Sequence, residues 1–283
     1  MSDITVIGMG SMGSALAKTM LNAGHAVTVW NRDREKSKPL ISSGAQITET
    51  IEEAINASHI ILVCINNYDT TKKLFEEGKS LVILKDRTVI QMSSGTPVEA
   101  TKSERWFLES GVNYLDGAIL GNPRGIGSED GQILIAGDEK LWRKCKPILE
   151  CLAGNFQHTG NKIDSAKILD LAWLSQRLGM FMGVFQGLLL CKAGGVDPNV
   201  FGTTVAADER VSMIANTIQT NTFSDPVNTI KVWKEALHHI QIQARETGAN
   251  CEVLDFIENK MQRAYSAGYE KEDLAALIKV FGK

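Results

Sequence analysis

The spacing of apolar residues changes near residue 160. Before that point, short apolar runs alternate with segments in which apolar residues recur every three or four positions. The runs are typical of buried parallel strands, and the wider spacing is typical of helices, so together they predict a doubly wound α/β domain. The strand candidates are 4–7, 26–30, 60–65, 88–92, 114–119 and 132–136, and the helix candidates are 11–23, 34–43, 69–77, 97–110 and 139–152.

The remainder of the chain has only helical spacing. An apolar-rich stretch without proline, 162–192, predicts one helix of roughly 30 residues, or about 45 Å. Further helix candidates are 198–219, 226–247, 252–267 and 271–280, and Gly194, Gly195 and Gly248 predict helix ends. We therefore expect an α/β domain over 1–160, a long interdomain helix over 161–194 and an all-α domain over 195–283.

Composition narrows the class of protein. The chain has a net charge of −3 and is 43% hydrophobic and 22% charged, which favours a globular protein without nucleic-acid or membrane partners. Its 5 cysteines form no Cys-x-x-Cys pair and indicate reduced thiols in the cytoplasm. No basic signal-peptide region precedes the first strand. Glycines interrupt the apolar stretch 178–191, which is shorter than the ~20 residues of a membrane span and predicts a buried helix.

A glycine motif follows the first predicted strand. Gly8, Gly10 and Gly13 form G-x-G-x-x-G with Ser11 and Met12 and open the first helix, which is the context that a dinucleotide-binding motif requires. The three glycines permit the tight turn, the approach of a pyrophosphate and close helix–strand packing, respectively. The helix N-terminus then offers N–H groups to the phosphates. The alternative is a glycine-rich turn without a ligand.

The end of the second strand indicates which dinucleotide is bound. Proteins that bind NAD usually have a carboxylate here for the ribose 2′-hydroxyl, but this chain has Asn31, followed by Arg32 and Lys36. A guanidinium and an ammonium both suit a 2′-phosphate. The sequence therefore predicts NADP(H). The alternative is a solvated cluster in which Asp33 and Glu35 neutralise the two bases.

Several segments together resemble one family. Besides the glycine motif, they are Gly24-His25, Trp30-Asn31-Arg32, Lys36, SSGTPVEA at 93–100, YLDGAI at 114–119, Ile126-Gly127 with Gly137-Asp138, and AGY with DLAA between 267 and 276. These segments cover nearly the whole chain. They resemble the β-hydroxyacid dehydrogenase superfamily, and its imine reductase and reductive aminase branch most closely.

The resemblance implies an architecture and an assembly. The expected fold is an α/β N-terminal Rossmann domain joined by a long interdomain helix to an all-α C-terminal domain like that of 6-phosphogluconate dehydrogenase. In this family two chains exchange helical domains, which implies a homodimer. Each active site would then lie between one chain's Rossmann domain and the partner's helices.

The resemblance also separates two chemistries. Hydroxyacid members carry Asp-Ala-Pro-Val-Ser-Gly-Gly where this chain has DGAILGN at 116–122, so the backbone that would hold a substrate carboxylate is absent. Those members have a catalytic lysine with an asparagine four residues later. Here Lys167 is followed at that distance by Leu171, while Asp170 stands where many imine reductases carry an acidic residue.

Lys167 and Asp170 are the candidate catalytic residues. They are three residues apart and therefore face the same side of a helix. The alternatives are that Lys167 pairs with Asp170 or lies on the surface, and that Asp170 is a surface acid. Ser94 is a candidate near the nicotinamide, and Asn122, Trp173 and Met180 are pocket candidates that also suit ordinary packing. His238 and His239 lack a third ligand, so no metal site is expected.

The expected activity is reduction of C=N bonds by NADPH. Imines or iminium ions would become amines, and a ketone with an amine would be the substrates if the protein catalyses reductive amination. One alternative is a β-hydroxyacid dehydrogenase or keto-acid reductase. Another is a non-catalytic NADPH-binding protein.

Overall fold

The chain forms an α/β unit followed by a helical unit, as the sequence predicts. The computed structural model describes residues 1–77, 80–205 and 209–281. The two compact units are Met1–Asp170 and Leu171–Lys283. The long helix Ser165–Ala193 begins in the first unit and continues into the second. Each unit has its own hydrophobic core.

Eight strands form one sheet in the first unit. The strands are β1 (Ile4–Ile7), β2 (Val27–Trp30), β3 (Gln46–Ile47), β4 (Ile60–Val63), β5 (Thr88–Gln91), β6 (Asn113–Ile119), β7 (Gln132–Ala136) and β8 (Asn155–His158). Their order is β3-β2-β1-β4-β5-β6-β7-β8. All neighbours are parallel except β6 and β7. The order reverses between β1 and β4, and a doubly wound sheet binds ligands outside the carboxyl ends of its strands at that point.

Helices connect these strands. They are α1 (Ser11–Asn22), α2 (Ile51–Ala57), α3 (Tyr68–Glu76), α4 (Ser80–Leu84), α5 (Pro97–Glu109) and α6 (Glu139–Leu149). Local sequence explains several starts. Thr96 and Glu99 form a capping box at the start of α5, where Pro97 needs no amide hydrogen bond. The predicted helix at 34–43 is instead two 3₁₀ turns, Arg34–Lys36 and Lys38–Ser43.

The second unit consists of helices around a core of its own. After α7 (Ser165–Ala193) come α8 (Pro198–Val200), a π-helical turn (Phe201–Val205), α9 (Glu209–Thr220), α10 (Ile230–Thr247), α11 (Glu252–Ser266), a 3₁₀ turn (Leu274–Leu277) and α12 (Ile278–Phe281). The predicted single helix at 198–219 is therefore divided, and its residues 206–208 lie outside the described residues. Gly248 caps α10 in the left-handed conformation, as predicted.

Helix α7 is long and apolar enough to cross a membrane by length and composition alone. The sequence interpretation considered only the shorter stretch 178–191, whereas the helix extends over Ser165–Ala193. Leu178, Phe185 and Leu188 on this helix are buried in the core of the second unit. The core helix of a soluble protein meets the same criterion, so α7 is weak evidence for a membrane.

Candidate functional site

A cavity of about 830 Å³ lies at the point where the strand order reverses. Gly8, Asn31, Cys64 and Met92 each follow the last residue of a parallel strand, and all four line it. The candidates of the glycine motif, the end of β2, the segment after β5 and α7 line the same cavity, namely Gly8, Gly10, Ser11, Met12, Gly13, Asn31, Arg32, Lys36, Ser94, Lys167 and Asp170. The fold therefore gathers at one site the residues predicted for the cofactor and for catalysis.

The glycine loop has the geometry that a pyrophosphate requires. Gly8 has φ +101°, and a Cβ on it would lie 2.2 Å from the carbonyl oxygen of Cys64. A Cβ on Gly13 would lie 1.8 Å from the carbonyl oxygen of Gly8, so α1 packs directly on the loop. A Cβ on Gly10, in contrast, would meet no atom within 4 Å. No side chain caps the start of α1, which leaves its N-terminus open to an anion.

Asn31 joins the glycine loop to the end of β2. Its Oδ1 accepts a hydrogen bond of 2.9 Å from the Met9 amide, and its Nδ2 donates one of 2.8 Å to the Asp33 carbonyl. A carboxylate in this place could accept the first bond but could not donate the second. The asparagine therefore fixes the loop, and its polar atoms are engaged within the protein.

Two cations at the end of β2, Arg32 and Lys36, have no anionic partner among the described residues. Glu49 pairs with Arg34 at 2.8 Å, and Glu35 pairs with Lys38 at 2.5 Å. Asp33 caps the following 3₁₀ turn. Within residues 1–77, 80–205 and 209–281, no carboxylate lies within 4.0 Å of Arg32 or Lys36. Both exposed side chains line the cavity, so this geometry favours an external anion over the neutralised cluster.

Lys167 is buried, with 1% of its side chain exposed, so it is not a surface lysine. Its Nζ donates hydrogen bonds to the carbonyl oxygens of Ser93, at 2.8 Å, and Gly117, at 2.5 Å. Its ion-pair partner is the fully buried Asp116, whose Oδ1 lies 3.6 Å from Nζ. The alternative from the sequence, an ion pair between Lys167 and Asp170, is therefore wrong, because the middle of β6 brings a different carboxylate to the amine.

Sequence reasoning missed the polar cluster around Asp116. Oδ2 of this residue accepts hydrogen bonds from Tyr68, at 2.6 Å, and Tyr114, at 2.8 Å. Burial raises the pKa of Asp116, while the nearby Lys167 ammonium and the hydrogen bonds oppose that rise. Burial and the adjacent Asp116 carboxylate hold the pKa of both tyrosines well above their usual value. Tyr114 and Asp116 are two residues apart on β6 and therefore lie on the same face of the sheet, so the sequence could have indicated their contact. Tyr68 lies on α3, and no local sequence pattern indicates its contact with Asp116.

Asp170 lies one helical turn beyond Lys167 and is partly exposed in the cavity. Burial raises the pKa of its carboxyl to about 6, the Lys167 ammonium opposes the rise, and Asp116 adds to it. A carboxyl of this kind changes charge close to neutral pH. It can therefore stabilise a cation or exchange a proton in the range in which enzymes work.

The remaining candidates lie in different places. Ser94 is exposed and lines the cavity immediately after β5. Asn122 caps a 3₁₀ turn through a 2.9 Å bond from the Arg124 amide, and it is absent from the cavity lining among the described residues. Trp173 and Met180 belong to the second unit. Trp173 contacts the Arg177 guanidinium at 4.5 Å, and Met180 packs against the helical core, so ordinary packing accounts for both.

The residues present fit a phosphorylated dinucleotide. The open position at Gly10 and the uncapped start of α1 suit the pyrophosphate. The unpaired cations Arg32 and Lys36 suit a 2′-phosphate. Within the part of the chain that the structure describes, no three His, Cys, Asp or Glu side chains come together as a metal site.

Comparison with known proteins places both units in one family. Residues 3–160 match the NAD-binding domain of 6-phosphogluconate dehydrogenase, and residues 163–283 match the C-terminal domain of NADPH-dependent reductive aminase-like proteins. The NADPH-dependent reductive aminase of Aspergillus oryzae is 29% identical, over 98% of this chain and 96% of its own.

Solved structures agree with this result. The imine reductase from Myxococcus stipitatus in complex with NADP⁺ is 31% identical, with 99% of this chain and 100% of that chain covered at a TM-score of 0.69. The 3-hydroxyisobutyrate dehydrogenase from Mycobacterium tuberculosis, covered over 100% of both chains, has a TM-score of 0.86 but only 16% identity, so it shows the fold alone. The chain therefore belongs to the imine reductase and reductive aminase branch of the β-hydroxyacid dehydrogenase family.

Proposed function

We propose that the protein reduces C=N bonds, converting imines or iminium ions to amines with NADPH. The observation that supports the proposal is that one cavity is lined by three features. These are the glycine loop that suits a dinucleotide, the cations at the end of β2 that are unpaired among the described residues, and the titratable carboxylate of Asp170. Membership in the imine reductase branch supports the same reaction. A purely binding role gives no reason for a carboxylate with a near-neutral pKa in that cavity.

The N-terminal unit holds and orients the cofactor. The start of α1 binds the pyrophosphate through backbone N–H groups, and Arg32 and Lys36 bind the 2′-phosphate. NADPH supplies the hydride from its nicotinamide ring when it is bound. Ser94 lies at the cavity after β5 and is the polar candidate for the nicotinamide end.

Asp170 carries the polar part of the reaction. An iminium ion is cationic, and the ionised Asp170 carboxylate attracts it and holds the nitrogen. Because burial raises the pKa of Asp170 to about 6, a substantial fraction of the carboxyl is also protonated in weakly acidic solution. The same group is thereby suited to donate a proton to a neutral imine.

The geometry of Lys167 favours the imine over a ketone. Reduction of a ketone produces an anionic oxygen, and a lysine would have to donate a proton to it. Two of the three N–H donors of Lys167 are engaged by the Ser93 and Gly117 carbonyls, and Asp116 lies 3.6 Å from the amine. An amine held in this way by the protein is a poor proton donor to a substrate. The hydroxyacid alternative is accordingly less favoured.

Oxidation of NADPH with a panel of substrates tests this proposal. The panel contains cyclic imines, ketone-plus-amine pairs and 3-keto acids, each supplied at the same concentration. We expect turnover of cyclic imines, and turnover of ketone-plus-amine pairs if the protein also accepts the condensation partners. Rapid turnover of 3-keto acids alone supports the hydroxyacid alternative. Tight NADPH binding without any turnover supports the non-catalytic alternative.

Two further proposals concern the substrates and the cellular location of the protein. The relative from Aspergillus oryzae is a reductive aminase by name, which supports a ketone and an amine as small-molecule substrates of this protein. The cysteines are free in the structure, in agreement with a cytoplasmic protein.

The proposed assembly is a homodimer in which two chains exchange helical domains. Leu190, Val196 and Val253 in the second unit are 64%, 51% and 61% exposed, and a partner chain would cover such apolar surface. We expect light scattering at micromolar concentration to give twice the mass of the 30.9 kDa chain. A fully active monomer at that concentration would contradict both the dimer and a shared active site.

A further inference from the structure

A buried ion pair lies at the cavity, with Lys167 in its lining, and the proposed reaction does not use the pair directly. Asp116 is fully buried on β6, and Lys167 is almost fully buried on α7. Oδ1 of Asp116 has no hydrogen-bond partner within the described residues, although the Lys167 amine lies 3.6 Å away. Burying two charges is costly, and replacing such a pair by apolar residues is often neutral or stabilising. Stability alone is therefore a weak reason for this pair.

We propose that Lys167 and Asp116 are positioning residues, whose opposed charges act on Asp170 and set the pH range over which its carboxylate is ionised in the cavity. The inference rests on the proposed function, since it concerns the residue that carries the polar chemistry there. Lys167 favours the ionised form, and Asp116 opposes it.

The placement of Lys167 makes this action specific. It lies three residues before Asp170 on α7, so the two side chains share one face of the helix, and both line the cavity. Hydrogen bonds fix the amine to the carbonyl oxygens of Ser93, which follows β5, and Gly117, which lies within β6. A buried charge that cannot move or be solvated acts on a neighbouring carboxyl with little screening.

The thiol and the two phenol groups near the cluster stay neutral at physiological pH. Burial raises the pKa of the Cys64 thiol to about 11, and the pKa values of Tyr68 and Tyr114 lie well above their usual value. On α5, Glu104 is half-buried, and its pKa is raised by burial and by Asp116.

The remaining charged groups that line the cavity are exposed and therefore screened by water, namely Arg32, Asp33, Lys36, Lys73 and Glu77. Among the described residues, Lys167 and Asp116 are the two buried charged side chains, and both act on the pKa of Asp170.

Two neutral variants are expected to move the pKa of Asp170 in opposite directions. Lys167→Met removes the cation that favours the carboxylate, so the pKa should rise by at least about half a unit, since an opposite charge nearby lowers a carboxyl pKa by about 1–3 units. Asp116→Asn removes the anion and retains the cation, so the pKa should fall. If the two residues only stabilised the fold, the two variants would not shift the pKa of Asp170 in opposite directions.

The experiment is a pH titration of the Asp170 side-chain carbon by ¹³C NMR, on full-length protein labelled at aspartate. Asp170→Asn identifies the resonance. Lys192→Met is the matched control, because Lys192 is an exposed lysine at the other end of the same helix, and it should shift nothing. If Lys167→Met does not fold, the double variant Lys167→Met/Asp116→Asn removes both charges. It should raise the pKa, because the Lys167 effect is the larger of the two.

The titration requires no turnover, so its outcome is independent of whether the protein reduces imines. The pH profile of kcat/KM for a cyclic imine adds a second readout, and its Asp170-dependent limb should move with the NMR value. Unchanged titration in Lys167→Met and in the double variant overturns the inference. So do shifts of Lys167→Met and Asp116→Asn in the same direction. Failure of the proposed function alone would leave the opposite NMR shifts intact and abolish the kinetic ones.

Discussion

Replacing Asp170 by Asn is expected to reduce the turnover of a cyclic imine by at least about tenfold, since positioned acid–base groups contribute ~10²–10⁴-fold and water can partly replace them. The substitution keeps the shape of the side chain but removes its charge, so the iminium ion loses the anion that holds it. NADPH affinity should be unchanged, because the phosphate groups are bound by the loop after β1 and by the cations after β2, and Asp170 on α7 belongs to neither. Steady-state kinetics with a fluorescence measurement of NADPH binding checks both statements.

Lys167→Met is the comparison for this prediction. We expect a smaller loss of imine turnover, because Lys167 acts on the substrate only through Asp170. Removing one partner of a buried ion pair costs about 3–5 kcal/mol, so the thermal stability of this variant must be measured beside its activity. The assignment fails if Lys167→Met abolishes turnover in folded protein while Asp170→Asn remains near wild type. That result would favour the hydroxyacid reaction, in which a lysine donates the proton.

Replacing Arg32 by Ala should raise KM for NADPH about tenfold or more and leave KM for NADH nearly unchanged. Hydrogen bonds to charged groups contribute about 1.5–3 kcal/mol, and Arg32 has no competing carboxylate within 4.0 Å in the described residues. The effect is confined to NADPH because only that cofactor carries the 2′-phosphate. Adding Lys36→Ala should increase the loss further.

Arg34→Ala is the matched control for Arg32→Ala. Arg34 lies two residues farther along the chain, and its guanidinium is paired with Glu49 at 2.8 Å. Its removal should change the KM for NADPH little. An equal loss with NADPH and NADH in Arg32→Ala, or an equal effect of the two arginine variants on NADPH, would show that Arg32 does not bind the 2′-phosphate.

Local signals explain why much of the α/β unit was predictable. The strand β1, the glycine loop and α1 are consecutive, and their patterns are strong: a buried apolar run, a motif that excludes side chains at Gly8 and Gly13, and helical spacing. The missed strands, β3 and β8, lie at the two edges of the sheet. β3 has 2 residues, and β8 is only partly buried, so neither has the apolar run that marks a central strand.

The interior of the site depends on contacts that spacing does not encode. Helical periodicity placed Lys167 and Asp170 on one face, and both line the cavity. It did not indicate that Asp116, on β6, pairs with Lys167, or that Tyr68, on α3, donates a hydrogen bond to the same carboxylate. These contacts join residues far apart in the chain, so they exist only after the sheet and α7 have packed. Arg32 is likewise unpaired among the described residues because Glu49 pairs with Arg34 and Glu35 pairs with Lys38 in the folded chain.

The most direct test of the central claim is the product formed from a cyclic imine and NADPH in which both hydrogens at C4 of the nicotinamide are deuterium. Mass spectrometry of the product, together with its NMR spectrum, locates the deuterium. We predict a cyclic amine with one deuterium on the carbon of the former C=N bond, formed at a rate that falls in Asp170→Asn. Recovery of the unreacted imine, while a 3-keto acid under the same conditions becomes a deuterated hydroxyacid, would contradict it.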